Sequence, residues 1–507
     1  MTNLLTNVMG FDREDFDEMA WDRYDERFER SKHLILNRGF LDVLETLVSE
    51  KLEKPAKNVP HIITGGYHVL YRMRLDECSD DVLIRVPVPA STPFISEKTN
   101  VEAATARYIK KYTSIPVPEV FDYGVTSLAD GVKYFIILQP IDFRRPISQA
   151  IGAPRASTDE AMVLDLSISH DVLMKLWVQV ARYLLHLSRQ HFPRIGSLVE
   201  DNNSYAIALR PLPFNMHSIV DLANVPVSIL PPIQETYQTA DEWYAVLADM
   251  HLAQLIFRHN DFVSSRDDCL TKYVARQVFR KLARNGQLST FGFAEDTWSV
   301  QSQGKQPRLK APPASGAFRL WGDDLRPGNI LLDDSDSVAA LIDWEFTYAA
   351  PTQFALDPPW WLLLEHPETW DAGMAAWKEA YEDKLPVWLQ AMDDAEMAEG
   401  EHAHQLPLGA YMRESWETGR FWLSYAARKS AAFDFIYWNY LDERFFGVRE
   451  AVAKHELWKT RIHLLSDGER NAMESFVDTK MAESEERILV DWTPEQARDR
   501  WHSYAGV

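Results

Sequence analysis

The stretch from Leu320 to Phe346, LWGDDLRPGNILLDDSDSVAALIDWEF, narrows the folds open to this chain more than any other. Ile330 to Leu332 is a short apolar run, Asp333 to Ser337 is a cluster of turn formers, and Val338 to Ile342 is a second apolar run. Aspartate and serine side chains bond nearby backbone and so favour turns, and the pattern predicts a β-hairpin. A hairpin brings its two ends together, so Asn329, entering, and Asp343, leaving, should lie side by side. Asp324 stands one irregular loop away, because Pro327-Gly328 argues against a helix there.

Neighbouring amide and carboxylate oxygens suit Mg²⁺, a hard cation that takes one or two carboxylates together with phosphate oxygens. A separate carboxylate close by can accept a proton from a nucleophilic hydroxyl. An acidic surface hairpin would show the same composition, and D-x-x-x-x-N alone is a weak motif. With Pro-Gly inside it and Ile342-Asp343-Trp344-Glu345 closing it, the stretch resembles the catalytic and metal motifs of the aminoglycoside phosphotransferase superfamily, including its fungal branch. The resemblance implies an α+β, bilobal protein-kinase-like fold, with a small β-rich N-lobe and a large, mainly helical C-lobe carrying insertions. It implies Asp324 as the catalytic residue, Asn329 and Asp343 as metal ligands, and ATP and Mg²⁺ as cofactors. One position departs from the pattern. The histidine usual two residues before the catalytic aspartate is Gly322 here, preceded by Trp321. That histidine braces the loop and is not the base, so its loss bears on rate more than on fold.

Composition bounds the partners. The 507 residues are 46% hydrophobic, enough for a large core in two lobes. With 75 acidic and 53 basic residues the net charge is −22, which speaks against nucleic acid, whose phosphates call for basic stripes. A solvated acidic surface explains most of this excess better than a cationic substrate does. The two cysteines, Cys78 and Cys269, have neither metal nor disulfide spacing, which suits a reducing compartment. The acidic N-terminal segment lacks a signal-peptide pattern, and no long apolar run predicts a membrane span. The expectation is a soluble cytoplasmic protein, with oligomeric state unreadable.

In chain order, residues 1–50 read as a helical extension, with Leu34, Leu36, Phe40, Leu44 and Leu47 on its apolar positions. Whether it packs on the body or forms a docking surface stays open. Residues 51–141 read as the N-lobe and 142–507 as the C-lobe. From His61 to Val88 the period becomes strand-like: strand, Gly65-Gly66 turn, strand, acidic turn, strand. The glycine pair would let backbone approach a nucleotide phosphate, or would simply close a hairpin. By resemblance Arg85, in VLIRVP, takes the place of the strand lysine that holds phosphates, and Glu102, in the following helix, pairs with it. Glu97 is the runner-up, and a solvent-facing arginine or glutamate is the plain alternative. An arginine there is a fork rather than a point charge. The strand KYFIILQPI ends at Gln139-Pro140-Ile141, where by analogy the hinge backbone of Gln139 and Ile141 meets the adenine edge.

Val172, Leu173, Leu176, Trp177, Val180, Leu184 and Leu187 form the stripe of a core helix. Residues 212–318 exceed what a minimal lobe of this kind needs. Within them His259, Asn260, Asp261, Asp267 and Asp268 could be metal ligands, but a helix cap at Ser264-Ser265 is the plainer account. Asp357 resembles an acidic position that steadies the catalytic loop, and Trp360, Trp361 and Trp370 read as core. The resulting expectation is a phosphotransferase acting on a hydroxyl of a small molecule, with a pseudokinase as the alternative that Gly322 and Arg85 would favour. A protein kinase fits less well, since neither D-F-G nor A-P-E follows.

Overall fold

The computed structural model describes residues 17–75, 81–88, 93–127, 133–157, 160–304, 307–400 and 406–505. The first sixteen residues and the acidic turn with Cys78 lie outside these. Strands β1 (Ala56–Thr64), β2 (His68–Leu75), β3 (Asp81–Pro87), β4 (Val120–Val125) and β5 (Tyr134–Leu138) form an antiparallel sheet in the order β1-β2-β3-β5-β4. Strand β1 starts five residues before the sequence pattern suggests. Its register shifts between Val59 and Ile62, around Pro60, and such a bulge spares the proline the ladder bond it cannot donate. Helix α3 (Ile95–Tyr112) lies between β3 and β4 in sequence. It buries Val101, Ala104 and Ile109, but also Glu97, Lys98 and Glu102. Buried charges in one helix must find partners, so α3 is the element that points to a site.

The N-terminal extension packs on the body. Helix α1 (Glu18–Ile35) sets Tyr24 against Leu222 of the helix Phe214–Ala223. Helix α2 (Arg38–Leu52), capped by Asn37, sets Phe40, Leu44, Leu47 and Val48 into one cluster with Tyr71, Ile84 and Phe135 of the sheet. The extension therefore spans from the β-rich part to the helical part.

From His170 onward the chain is mainly helical around one large core. The helix His170–Ser188 buries Leu173, Leu176, Trp177, Val180 and Leu187 as its stripe predicts. Val172 is an exception: it sits in the first turn, beside the Ser169 cap, and is exposed. The long segment between 212 and 318 supplies helices Ala240–Phe257 and Arg266–Arg284, which pack together. Ser265 caps the second of these by accepting from Asp268 N at 3.2 Å, Asn260 bonds Asp17, and His259 lies near Glu483. Those polar residues are a cap and tertiary links, as the plainer account has it. Among the described residues no helix is long and apolar enough to cross a membrane.

Candidate active site

The hairpin forms from Ile330–Leu332 and Val338–Leu341, with Ile330 opposite Leu341. Asp333 closes its loop by accepting from the backbone N–H of Ser335 and Ser337. At the open end Ile342 N donates to Asn329 O at 3.0 Å, which places Asn329 beside the Asp343 segment. Asp343 adopts φ 67°, a left-handed conformation uncommon outside glycine and tolerated best by aspartate and asparagine. A strained residue at a strand exit is a pointer to function.

The loop that carries Asp324 enters on the strand Phe318–Gly322, paired with Thr347–Ala350. Asn329 Nδ2 donates to Asp324 O at 2.9 Å and to Asp324 Oδ2 at 3.2 Å. The amide nitrogen is thereby spent, and the amide oxygen is the ligand atom Asn329 can offer. Arg326 Nε donates to Asp324 Oδ1 at 3.0 Å. Burial raises the Asp324 pKa from the ordinary aspartate value, and Arg326 opposes the rise.

Arg85 is the fork that ties the sheet to this loop. Its Nη1 lies 3.1 Å from Glu102 Oε1, and its Nη2 donates to Asp343 Oδ1 at 2.8 Å. Glu97, the runner-up, instead takes two 2.8 Å bonds from Arg210 and leaves the site. Behind the Arg85 fork stands a layer that sequence reading missed. Lys98 Nζ lies 3.0 Å from Glu345 Oε2 and 3.9 Å from the Tyr67 ring centre, and His68 Nδ1 is 3.0 Å from Arg85 Nη2. Burial pushes the Glu345 carboxyl up to about 7, against the pull of Lys98. His68, Glu102 and Glu345 converge closely enough to suggest a metal. Arg85 and Lys98 already supply the positive charge there, so this is a salt-bridged cluster. Lys98 stands one turn before Glu102 on α3, and that spacing was its available signal.

Gly65 and Gly66 form the turn between β1 and β2 and border a polar cavity of about 240 Å³ that also reaches Asp324, Asn329 and Asp343. An apolar cavity of about 300 Å³ adjoins it, lined by Leu83, Ile136, Leu138, Phe143 and Leu331, with Gln139 and Ile141 at its rim. The two cavities share Arg85 and Asp343. Gln139 N–H donates to Glu119 O at 2.8 Å, so Gln139 can offer a base only its carbonyl among its backbone groups.

One expectation needs correction. Asp357 does not steady the catalytic loop: it accepts from Ser415 and serves the C-terminal helices. The brace is Asp323, which accepts from Arg428 Nη1 and Trp321 Nε1 at 3.1 Å each and from Phe214 N at 2.9 Å. Arg428 also lies 4.6 Å from the Trp321 ring centre. At Gly322 a Cβ would come within 3.1 Å of Leu325 Cβ, so the missing histidine would be crowded. Trp360 is buried in the main core as its sequence suggests. It borders the polar cavity, stacked on His366 with ring centres 3.8 Å apart, whereas Trp361 packs on Trp388.

Residues 172–396 match the model of the phosphotransferase enzyme family. Two Aspergillus fumigatus strains each carry a subtelomeric hrmA-associated cluster protein that is 23% identical to this chain over 320 residues. The alignment covers 57% of this chain and 57% of each relative, so the chain spans little more than half the length of these curated proteins. Among solved structures, a Plasmodium vivax ethanolamine kinase superposes with a TM-score of 0.38 at 11% identity, covering 90% of this chain and 94% of that one. A GDP complex of aminoglycoside 2'-phosphotransferase-IIIa gives a TM-score of 0.37 at 12% identity, covering 87% and 99%.

Proposed function

We propose, on the premise that the chain belongs to the phosphotransferase enzyme family, that it transfers the γ-phosphoryl group of ATP, with Mg²⁺, to a hydroxyl of a small molecule. The observation that carries the reading is the convergence of Asp324, Asn329 and Asp343 with the Arg85–Glu102 pair where an apolar and a polar cavity meet.

The donor set fits the cofactors. Asn329 keeps its amide oxygen, and Asp343, with Oδ1 on Arg85, keeps Oδ2, giving the sparse oxygen set that Mg²⁺ takes when phosphates complete its shell. When bound, Mg²⁺ neutralises charge on the phosphate oxygens. The apolar cavity suits a base, and Arg85 at its junction with the polar cavity suits the phosphates. Asp324 orients the acceptor hydroxyl and takes its proton. The acceptor oxygen bonds to the γ-phosphorus as the bridging oxygen leaves with ADP. Arg85, held by Glu102, contributes fixed positive charge, and catalysis is chiefly positioning and charge neutralisation.

Calorimetric titration of ATP with and without Mg²⁺, together with slow ATP hydrolysis, tests the reading. Asp343→Ala should abolish metal-dependent nucleotide binding; a variant that binds Mg-ATP like the parent defeats the metal assignment. The pseudokinase alternative predicts binding with no hydrolysis that depends on Asp324.

A further inference from the structure

Helix α1 touches the helical part, the sheet and the polar cavity at once. Its foot is fixed to the helical part. Asp17 caps it by accepting from Ala20 N at 3.0 Å, donates its own N–H to Leu222 O at 3.0 Å, and accepts from Asn260 Nδ2 at 3.1 Å. Arg23 Nη2 donates to Asn224 Oδ1 at 2.6 Å. Its far end is fixed to the sheet, where Tyr71 Oη of β2 donates to Ile35 O at 2.6 Å. Between the two, Tyr24 is buried against Leu222, and its Oη donates to Gly66 O at 3.3 Å. Gly66 borders the polar cavity, and so does Phe214, which packs on the Tyr24 cluster from the helical side. One helix therefore backs two walls of the cavity.

The turn that Tyr24 meets has little stiffness of its own. Gly65 N–H donates to His68 O at 2.8 Å and closes it, but two glycines in a row lack the Cβ contacts that limit backbone rotation. The close approach that suits a phosphate thus comes with freedom to turn the peptide away. The Gly66 carbonyl belongs to the Gly66-Tyr67 peptide, and that plane is rigid. Its carbonyl is held by Tyr24, and the Tyr67 ring sits edge-on against His217 with ring centres 4.8 Å apart. Tyr67 O also accepts from Val88 N at 2.8 Å. His217 lies on the same helix as Phe214 and Leu222, so α1 and its neighbour grip the turn together.

Building on the phosphotransferase reading, we propose that Tyr24 is a positioning residue for the phosphates of Mg-ATP, acting through the Gly65-Gly66 turn, with α1 as the strut that holds it in place. Tyr24 touches no reacting atom. Its hydroxyl fixes the Gly66 peptide, so the turn meets the phosphates already ordered and less ordering remains to be done on binding. The base, which the same reading assigns to the apolar cavity, meets neither glycine.

Calorimetric titration of the full chain with Mg-ATP and with adenosine tests this. Tyr24→Phe keeps the buried ring and removes the hydroxyl. It should weaken Mg-ATP about three- to tenfold, the worth of one neutral hydrogen bond, and leave adenosine affinity as in the parent. Tyr71→Phe is the comparator. It removes a like bond at the far end of α1, and should lower the melting temperature while keeping Mg-ATP affinity. Unchanged Mg-ATP affinity in Tyr24→Phe overturns the proposal. So does an equal loss for adenosine, or an equal loss in Tyr71→Phe, since either makes Tyr24 a packing residue only. A parent that binds no Mg-ATP defeats the phosphotransferase reading and this one with it. A parent that binds and hydrolyses Mg-ATP, matched by Tyr24→Phe, defeats this one alone.

Discussion

On the proposed mechanism Asp324 acts only when ionised, and its surroundings set when that is. Burial raises its pKa and Arg326 lowers it. The rate should therefore fall as pH falls through a value above the ordinary aspartate figure of about 3.9. Arg326→Met should move that acid limb to higher pH, since the opposing charge is gone. A pH profile of ATP hydrolysis checks both, and an unmoved limb would remove Arg326 from the account. Asp324→Asn should lower the rate by about 10²- to 10⁴-fold, the range for a positioned base, while Mg-ATP binding is kept. Arg85 makes a different demand. Its two terminal nitrogens reach Glu102 and Asp343 at once, which a lysine cannot do. Arg85→Lys should then weaken Mg-ATP by about tenfold, and unchanged affinity would show that the fork is dispensable. The Arg85–Glu102 pair was legible because a strand cation and a helix carboxylate sit at recognisable sequence positions. Tyr24 was not, because nothing near it in the chain marks the glycine turn that it bonds.

Elements were read where local chemistry sufficed. The hairpin after Asn329 is written in turn formers between apolar runs, and it folds that way. The cap before Arg266–Arg284 is likewise local. Ser265→Ala should cost about 1 kcal/mol of stability in denaturant melts and leave nucleotide affinity unchanged. A loss of nucleotide or metal binding would revive the ligand reading of His259 to Asp268. Strand β1 and the N-terminal helices show the opposite case. Pro60 hides the start of β1 until the bulge is seen, and the helix sequences do not say which surfaces their apolar stripes cover.

For the molecule as a whole, the link between the sheet and the helical part is electrostatic as well as apolar. Lys98 on α3 reaches Glu345 beyond the hairpin, and both are almost fully buried. Lys98→Met would leave Glu345 without that partner, at a cost of about 3–5 kcal/mol. Thermal melts check the loss, and a variant as stable as the parent would show that His68 and Arg85 suffice. Mg-ATP at about 100 times its Kd should add about 2.7 kcal/mol to stability, provided it binds only the folded chain.

The α+β architecture, the hairpin and the grouping of Asn329 with Asp343 come from short stretches, because turn chemistry and strand period act between neighbours. The resemblance of Asp324, Asn329 and Asp343 to phosphotransferase motifs also lies in such a stretch. The bracing of Asp323 by Arg428, the Arg85 fork between Glu102 and Asp343, and the Lys98–Glu345 link depend on side chains far apart in sequence. Only folding brings those groups within range of one another, and a charge buried next to its partner is a property of the pair.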